Sequence, residues 1–304
     1  MVSLIIVSGG DIASTNQADA LLEMCDWVSL EPVEDKPAYS YMNARIWWMD
    51  DGCLWEDDLD KRWEKGTGEK PTEVIFPSRH SAASGKASLT LHPIGTMQVP
   101  ESTVPDFGGR AADCPPPNPR IAAWWREMNR VASVLEGFDL SLETTHHGPW
   151  IETPSLFIEI GSTAETWGHQ KAAEILAGII FRGLGLDGTA GLGTWKGKGQ
   201  VVVTLGGGHY APRGNLLGLH ESVWIGHMLA TYALPFSKDE SGNVSGMWEN
   251  SIRKAIAATK LAYPGGDIIC SMDKKAFKGW QRQAIRDLLE ELDIPLLKRA
   301  EIIA

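Results

Sequence analysis

The sequence predicts an α/β protein, layered, with a mostly parallel or mixed central sheet flanked by helices. Two observations carry this. Short apolar runs recur along the chain, and between them lie stretches whose apolar residues are spaced three and four apart. The 304 residues, 43 % of them hydrophobic, suffice for a full core and rule out wholesale disorder. With no internal repeat and no long low-complexity linker, residues 1–304 read as one domain.

The elements follow in order. "SLIIVS" (3–8) reads as a first buried strand ending in a Gly-Gly turn, and not as a signal peptide, since no basic region precedes it. "MDDGCLWEDDLDKRWE" (49–64) is a dense acidic segment. Strands are expected at Glu73–Phe76 and Ser88–Leu91. "DCPPPNPR" (113–120) is a stiff connector into a helix over Ile121–Leu135. Strands at Leu140–Thr144 and Leu156–Ile160 precede a helix over 165–182, with Ser162 and Glu165 as its capping box. A strand at Gln200–Leu205 is followed by helices over 222–234 and 245–263, then a strand at Asp267–Cys270. The last helix runs from Lys275 to Leu292, its stripe formed by Phe277, Trp280, Ala284, Ile285, Leu288, Leu289 and Leu292. No run of about 18 apolar residues exists, so no membrane span is expected. Cys25, Cys53, Cys114 and Cys270 are scattered without a CxxC, which fits a reducing cytoplasmic setting.

The net charge of −11 argues against DNA as a partner. The charge is unevenly spread, however. "DKKAFKGWQRQAIR" (273–286) gathers cations, and an acidic protein with one basic face can still bind RNA locally. We expect Lys274, Lys275, Lys278 and Arg282 to contact phosphates, with Phe277 and Trp280 docking the segment on the body. The alternative is a plain solvated surface.

Several histidines share one kind of position. His80 follows a strand in "EVIFPSRH", His146 and His147 follow another in "LSLETTHH", and His209 follows a third in "VVVTLGGGH". Ligands of open α/β sheets bind beyond the strand carboxyl ends, where parallel neighbours would bring these rings together. Glu159 lies inside the apolar strand "SLFIEIGS", and a buried carboxylate requires a partner: a metal, or an arginine such as Arg79 or Arg213. Glu143 is the weaker candidate, since alternation can turn it to solvent. His92, before Pro93, reads as a strand cap, and His169, His220 and His227 read as structural. The glycines before His209 lack nucleotide-loop spacing. Gly148 and Pro149 stop the strand after the histidine pair, so one ring can face the crevice while the other anchors the loop or binds beside it. His147, beside Gly148, is favoured as the catalytic member. With no G-x-S-x-G elbow and no cysteine expected beside the cluster, an acyl-enzyme route is disfavoured.

"SRHSAASGKASLTLHPIG", "LETTHHGP", "PSLFIEIGSTAETW" and "GGGHYAPR" occur in that order and resemble the signature blocks of the D-aminoacyl-tRNA deacylases of archaea and plants, the second type of that enzyme. The resemblance extends from "DDLDKRWE" to near the C-terminus; residues 96–119 carry nothing from it. It implies a fold similar to peptidyl-tRNA hydrolases and phosphorylases, with zinc as cofactor. It also implies hydrolysis of the ester joining a D-amino acid to tRNA, a translation quality-control step that in some members extends to aldehyde-modified substrates. The residues suit that chemistry. His80, His146, Glu159 and His209 are the expected zinc ligands, His147 or His146 the base, and the Gly207 and Gly208 amides the oxyanion donors. A monomer is expected. The alternatives are a zinc-dependent peptidase or nucleoside phosphorylase on a related fold, and a non-catalytic tRNA-binding module.

Overall fold

Strand β1 (Val2–Ser8) is buried at all seven positions, as its unbroken apolar run requires of a strand covered on both faces. It sits within an eight-stranded mixed sheet. The other members are β2 (Val28–Ser29), β3 (Ala38–Tyr41), β4 (Ala44–Met49), β5 (Pro71–Arg79), β6 (Ser88–His92), β7 (Asp139–Leu142) and β8 (Ser155–Gly161). This is a computed structural model that describes residues 2–303. The strand order is β2-β3-β4-β1-β5-β8-β6-β7. Strands β4, β1, β5 and β8 run parallel, whereas β6 and its parallel neighbour β7 run against β8.

A second sheet holds β9 (Gln200–Leu205), β10 (Val223–Leu229) and β13 (Asp267–Met272) in the order β10-β9-β13, all parallel. A short hairpin, β11 (Ser237–Lys238) and β12 (Val244–Ser245), stands beside it. Helices α1 (Ile12–Glu23), α3 (Ile121–Val131) and α5 (Gln170–Gly183) cover one face of the large sheet over Ile5, Ile75, Leu89, Leu156 and Ile158. The opposite face buries Leu4, Ile6, Trp47, Phe76 and Phe157 against Trp63 of α2 (Leu59–Thr67). Helices α7 (Trp248–Ala262) and α8 (Gly279–Glu291) pack on the small sheet. Ile225 and Val202 of the small sheet join the apolar cluster under α3, so both sheets share that core.

Several expectations change. Residues 222–234 form strand β10 and a 3-10 turn, not a helix; a fully buried apolar run does not distinguish the two by periodicity. The expected helix over 165–182 is broken at Gly168 into α4 (Ala164–Trp167) and α5, and the side chain of His169 caps α5. The capping box of α4 pairs Thr163 with Thr166, not Ser162 with Glu165; the Ser162 hydroxyl donates to the Lys86 carbonyl instead. The last helix starts at Gly279, after a 3-10 turn at Lys274–Ala276. The 113–120 connector leads into α3 as expected, with Pro117 and Asn118 buried and Pro117 bridging to Ser155 at the start of β8.

Candidate functional site

Two strands of opposite direction frame the site. In the β6–β8 pair Thr90 stands opposite Glu159 and His92 opposite Phe157. Leu89 and Leu91 turn to the α1–α5 side, so Thr90 and His92 share the other face with Glu159. Thr90 donates its hydroxyl hydrogen to Glu159 Oε2 at 3.2 Å, and His92 Nε2 lies 3.6 Å from the same oxygen. His92 therefore belongs to the cluster, and the partners of Glu159 are histidines, not Arg79 or Arg213. Arg79 lies over the Trp167 ring, and Arg213 donates to Ser271.

The segment after β7 supplies the rest. Strand β7 ends at Leu142, so alternation no longer governs Glu143. Its amide donates to the Leu91 carbonyl and its carboxylate turns fully inward. Glu143 Oε1 lies 3.1 Å from His80 Nδ1, and Oε2 lies 3.4 Å from His209 Nε2 and 3.7 Å from His146 Nε2. Neither oxygen has a hydrogen-bond partner among the described residues. Thr144 and Thr145 are held from the second sheet's side, their amides donating to the carbonyls of His209, in the loop after β9, and of Met228 in β10. The Thr145 hydroxyl meets His227 Nδ1 at 2.9 Å, while His227 Nε2 donates to the Pro115 carbonyl, so His227 is structural, as expected.

His146 and His147 then point the same way, their ring centroids 4.3 Å apart. Of the two arrangements expected for the second ring, anchoring the loop or sitting beside the first, the structure has it beside the first. His147 adopts φ +42°, the left-handed region, and that single residue cancels strand alternation. His146 Nδ1 donates to the Thr144 carbonyl at 2.8 Å, His147 Nδ1 to the Gly148 carbonyl at 2.6 Å and His92 Nδ1 to the Pro93 carbonyl at 3.1 Å. A carbonyl only accepts, so each neutral ring keeps an unprotonated Nε2. One nitrogen of each of the three lies within 4.8 Å of the others, and His80, Glu143 and His209 form a second trio of the same kind.

The electrostatics separate the rings. Burial and the neighbouring His92 push His147 down to about 3 and hold His146 well below the usual histidine range. For His80 burial acts the other way from the carboxylates, yet Glu159 and Glu143 hold it above that range. His92 is raised as well, Glu159 outweighing its burial. Glu159 stays ionised despite burial because His92 and His80 face it. Both Glu143 oxygens and His92 Nε2 are buried without a hydrogen-bond partner, and one donor atom each of His92, Glu143 and Glu159 lie within 4.8 Å of one another. A cation satisfies that arrangement, and the nitrogen and oxygen donors suit zinc.

The cluster opens on a cavity of about 710 Å³. Tyr232 lies on its wall, its hydroxyl 3.2 Å from His209 Nδ1 and 3.3 Å from Thr144 Oγ1. The Tyr210 hydroxyl meets His80 Nε2 at 3.2 Å. Cys53 also lines the cavity, contrary to expectation, but burial pushes its thiol up to about 12, so a thiolate nucleophile is not at hand. Of the glycines expected as oxyanion donors, Gly207 gives its amide hydrogen to Thr231 Oγ1; only Gly208 faces open space. Lys274, Lys275 and Lys278 are exposed, whereas Arg282 is half-buried and donates to the Lys274 and Phe277 carbonyls. Phe277 is buried against Gly206, where φ is +90° and a Cβ would meet its ring at 2.5 Å. That contact sets the basic segment beside the 206–209 loop.

Sequence reasoning thus gathered His80, His146, His147, Glu159 and His209 correctly as neighbours. It ranked Glu143 below Glu159 and missed His92, Tyr210 and Tyr232. The Leu-Thr-Leu-His alternation was the available signal for His92.

Comparison with known proteins agrees. Residues 67–297 match the family model described as D-aminoacyl-tRNA deacylase. The chain is 42 % identical to the D-aminoacyl-tRNA deacylase of Arabidopsis thaliana, with 97 % of each chain covered. It is 29 % identical to that of Thermococcus kodakarensis, over 98 % of this chain and 100 % of the other. A crystal structure described as a conserved protein of unknown function superposes with a TM-score of 0.80 at 26 % identity, covering 99 % of this chain and 96 % of that one. These matches favour neither the peptidase, the phosphorylase nor the binding-module alternative. By the family model and its relatives alike, the chain belongs to the D-aminoacyl-tRNA deacylase family.

Proposed function

We propose that the protein hydrolyses the ester of D-aminoacyl-tRNA with zinc held among the buried histidines, releasing the D-amino acid and tRNA as a quality-control step. The unpartnered carboxylate of Glu143, facing three imidazoles, is the observation that carries the metal reading. His92, His146 and His147 form one ligand set and His80, Glu143 and His209 an adjoining one, with Glu159 between His80 and His92. Zinc bound there supplies a Lewis acid and a water of lowered pKa.

The chain's own groups do the rest. His147 is better suited to ligation than to proton uptake, because its Nδ1–H is committed and its ring resists protonation. The carbonyl locks on His92, His146 and His147 fix which nitrogen faces inward. Burial keeps the Tyr232 phenol protonated, so its hydroxyl can donate to the developing oxyanion, the role expected of the Gly207 amide. Gly208 leaves room for the 3′ end to approach the backbone. Lys274, Lys275 and Lys278 lie where the following phosphates would run, and Arg282 braces them.

No helix among the described residues is long and apolar enough to cross a membrane. Four free cysteines support a cytoplasmic setting, and a monomer with no DNA partner completes the reading.

The test is hydrolysis of matched D- and L-aminoacyl-tRNA before and after chelation, with zinc measured by elemental analysis. Release of D-amino acid over many turnovers, lost with the zinc and restored by its return, is expected. Full activity in zinc-free protein would end the metal reading; protection of the ester at stoichiometric protein would end the enzymatic one.

A further inference from the structure

Apart from its imidazoles, the cavity at the histidine cluster is acidic. Asp11, Asp51, Asp106 and Glu159 line it, and Arg79 is the one lysine or arginine among its described lining residues. The chain carries a net charge of −11, and the proposed substrate is a polyanion. A single permanent cation in such a cavity is the group to which an anionic part of that substrate would go.

Arg79 is held in place, and its charge is not spent. It ends β5, immediately before His80, and its amide donates to Asp11 Oδ2 at 2.8 Å. Its guanidinium lies over the Trp167 ring, 5.1 Å from the centroid, and the Trp167 indole donates to the His80 carbonyl at 2.8 Å. The stack therefore ties the cation to the main chain of a cluster residue. Stacking occupies a face of the guanidinium and leaves the N–H groups, which lie in its plane, free to donate. Arg79 is exposed, and among the described residues its guanidinium makes no hydrogen bond or ion pair. Asp11 offers it little, since that carboxylate accepts from the amides of Ala13, Ser14 and Arg79 and from the Ser78 hydroxyl.

Substrate chemistry says which anion. In an aminoacyl ester the amino acid's own carboxylate is consumed. The negative charge that every such substrate keeps nearest the scissile bond is the phosphodiester on the 5′ side of the terminal adenosine. A guanidinium and a phosphate match through two parallel N–H···O bonds. His209 stacks beside His80, their centroids 5.8 Å apart, so the 206–209 loop stands on the same histidine that follows Arg79. Phe277 seats the basic segment on that loop at Gly206, and phosphates further from the ester can run on to Lys274, Lys275 and Lys278.

We infer that Arg79 anchors that first phosphodiester and so fixes how far the 3′ end reaches into the cavity. This rests on the ester-hydrolysis reading for the identity of the ligand, but binding alone tests it. The probes are two non-hydrolysable amides, 3′-(D-alanylamino)-3′-deoxyadenosine with a free 5′-hydroxyl or with a 5′-methylphosphate, titrated calorimetrically. The phosphate should tighten binding to the parent about 10- to 100-fold, the range for one charge-assisted pair. Arg79→Ala should remove most of that gain yet bind the unphosphorylated amide within about 3-fold of the parent, at unchanged metal content and circular dichroism; the side chain is exposed, so truncation spares the core. Arg79→Lys should restore part of the gain, as charge without the planar fork. A parent that gains nothing from the phosphate, or an alanine variant that keeps the gain, overturns the inference. So does equal weakening of both amides, which would make the Arg79–Trp167 stack a prop for His80. Tighter binding of free D-alanine to the parent than to the alanine variant, without a phosphate gain, would give Arg79 to the released carboxylate instead. The full pattern in a protein that hydrolyses no D-aminoacyl-tRNA would sustain the anchor and sink the hydrolysis.

Discussion

His80 Nδ1 stands 3.1 Å from Glu143 Oε1, with both side chains shut away from solvent and no hydrogen bond satisfying the carboxylate. Glu143→Gln keeps the shape and removes the charge. It should leave the fold intact, lower zinc content on purification and cut kcat/KM at least about 10²-fold. Elemental analysis and turnover on the same preparation check it; unchanged zinc and activity would take Glu143 out of the site.

Tyr232 separates oxyanion support from binding. Tyr232→Phe removes only the hydroxyl. kcat should fall about 10- to 10³-fold with KM little changed, since the donor is needed only as charge develops. A rise in KM alone would make the phenol a substrate-binding group.

The histidine pair yields a sharper test than unequal roles. His146→Ala and His147→Ala should each lose zinc and cut kcat by about 10²- to 10⁴-fold, because both rings face the cluster. Variants that fold by circular dichroism and turn over like the parent would show that the site lies elsewhere.

Reversing charge at Lys274 and Lys275 should raise KM with little change in kcat. For each phosphate that a lysine no longer neutralises, the slope of log affinity against log salt should become shallower by roughly one unit. An unchanged slope would return the segment to plain solvent.

His227 predicts a pH dependence of stability. Burial pushes it from 6.5 down to about 4. The unfolded chain therefore takes up the proton first. Stability is unaffected above pH 6.5 and falls as pH drops from there towards 4, by on the order of 2–3 kcal/mol. Denaturant melts of His227→Gln should show a shallower loss across that window; parallel curves would exonerate His227.

The sequence was most legible where one rule acted alone. Strands β1 and β9 were found from apolar runs, and Glu159 from a charge inside such a run. It was least legible where rules met. Glu143 follows a strand that ends one residue earlier, so the alternation applied to it no longer held. His92 was hidden by Pro93, which suggested a cap, while the antiparallel register that sets it near Glu159 is a long-range property. Residues 222–234 offered a buried run without period, and α1 carries too weak an apolar stripe to be singled out. The basic segment was found from charge clustering, yet its place beside Gly206 depends on packing between residues far apart along the chain.

The amides of Thr144 and Thr145 are pinned by carbonyls of His209 and Met228. During ribosomal synthesis, His80, His92 and the histidine pair emerge well before the strand that holds their turn, an interval on the order of ten seconds. Over that interval the nascent chain carries these histidines without the packing that brings their rings together.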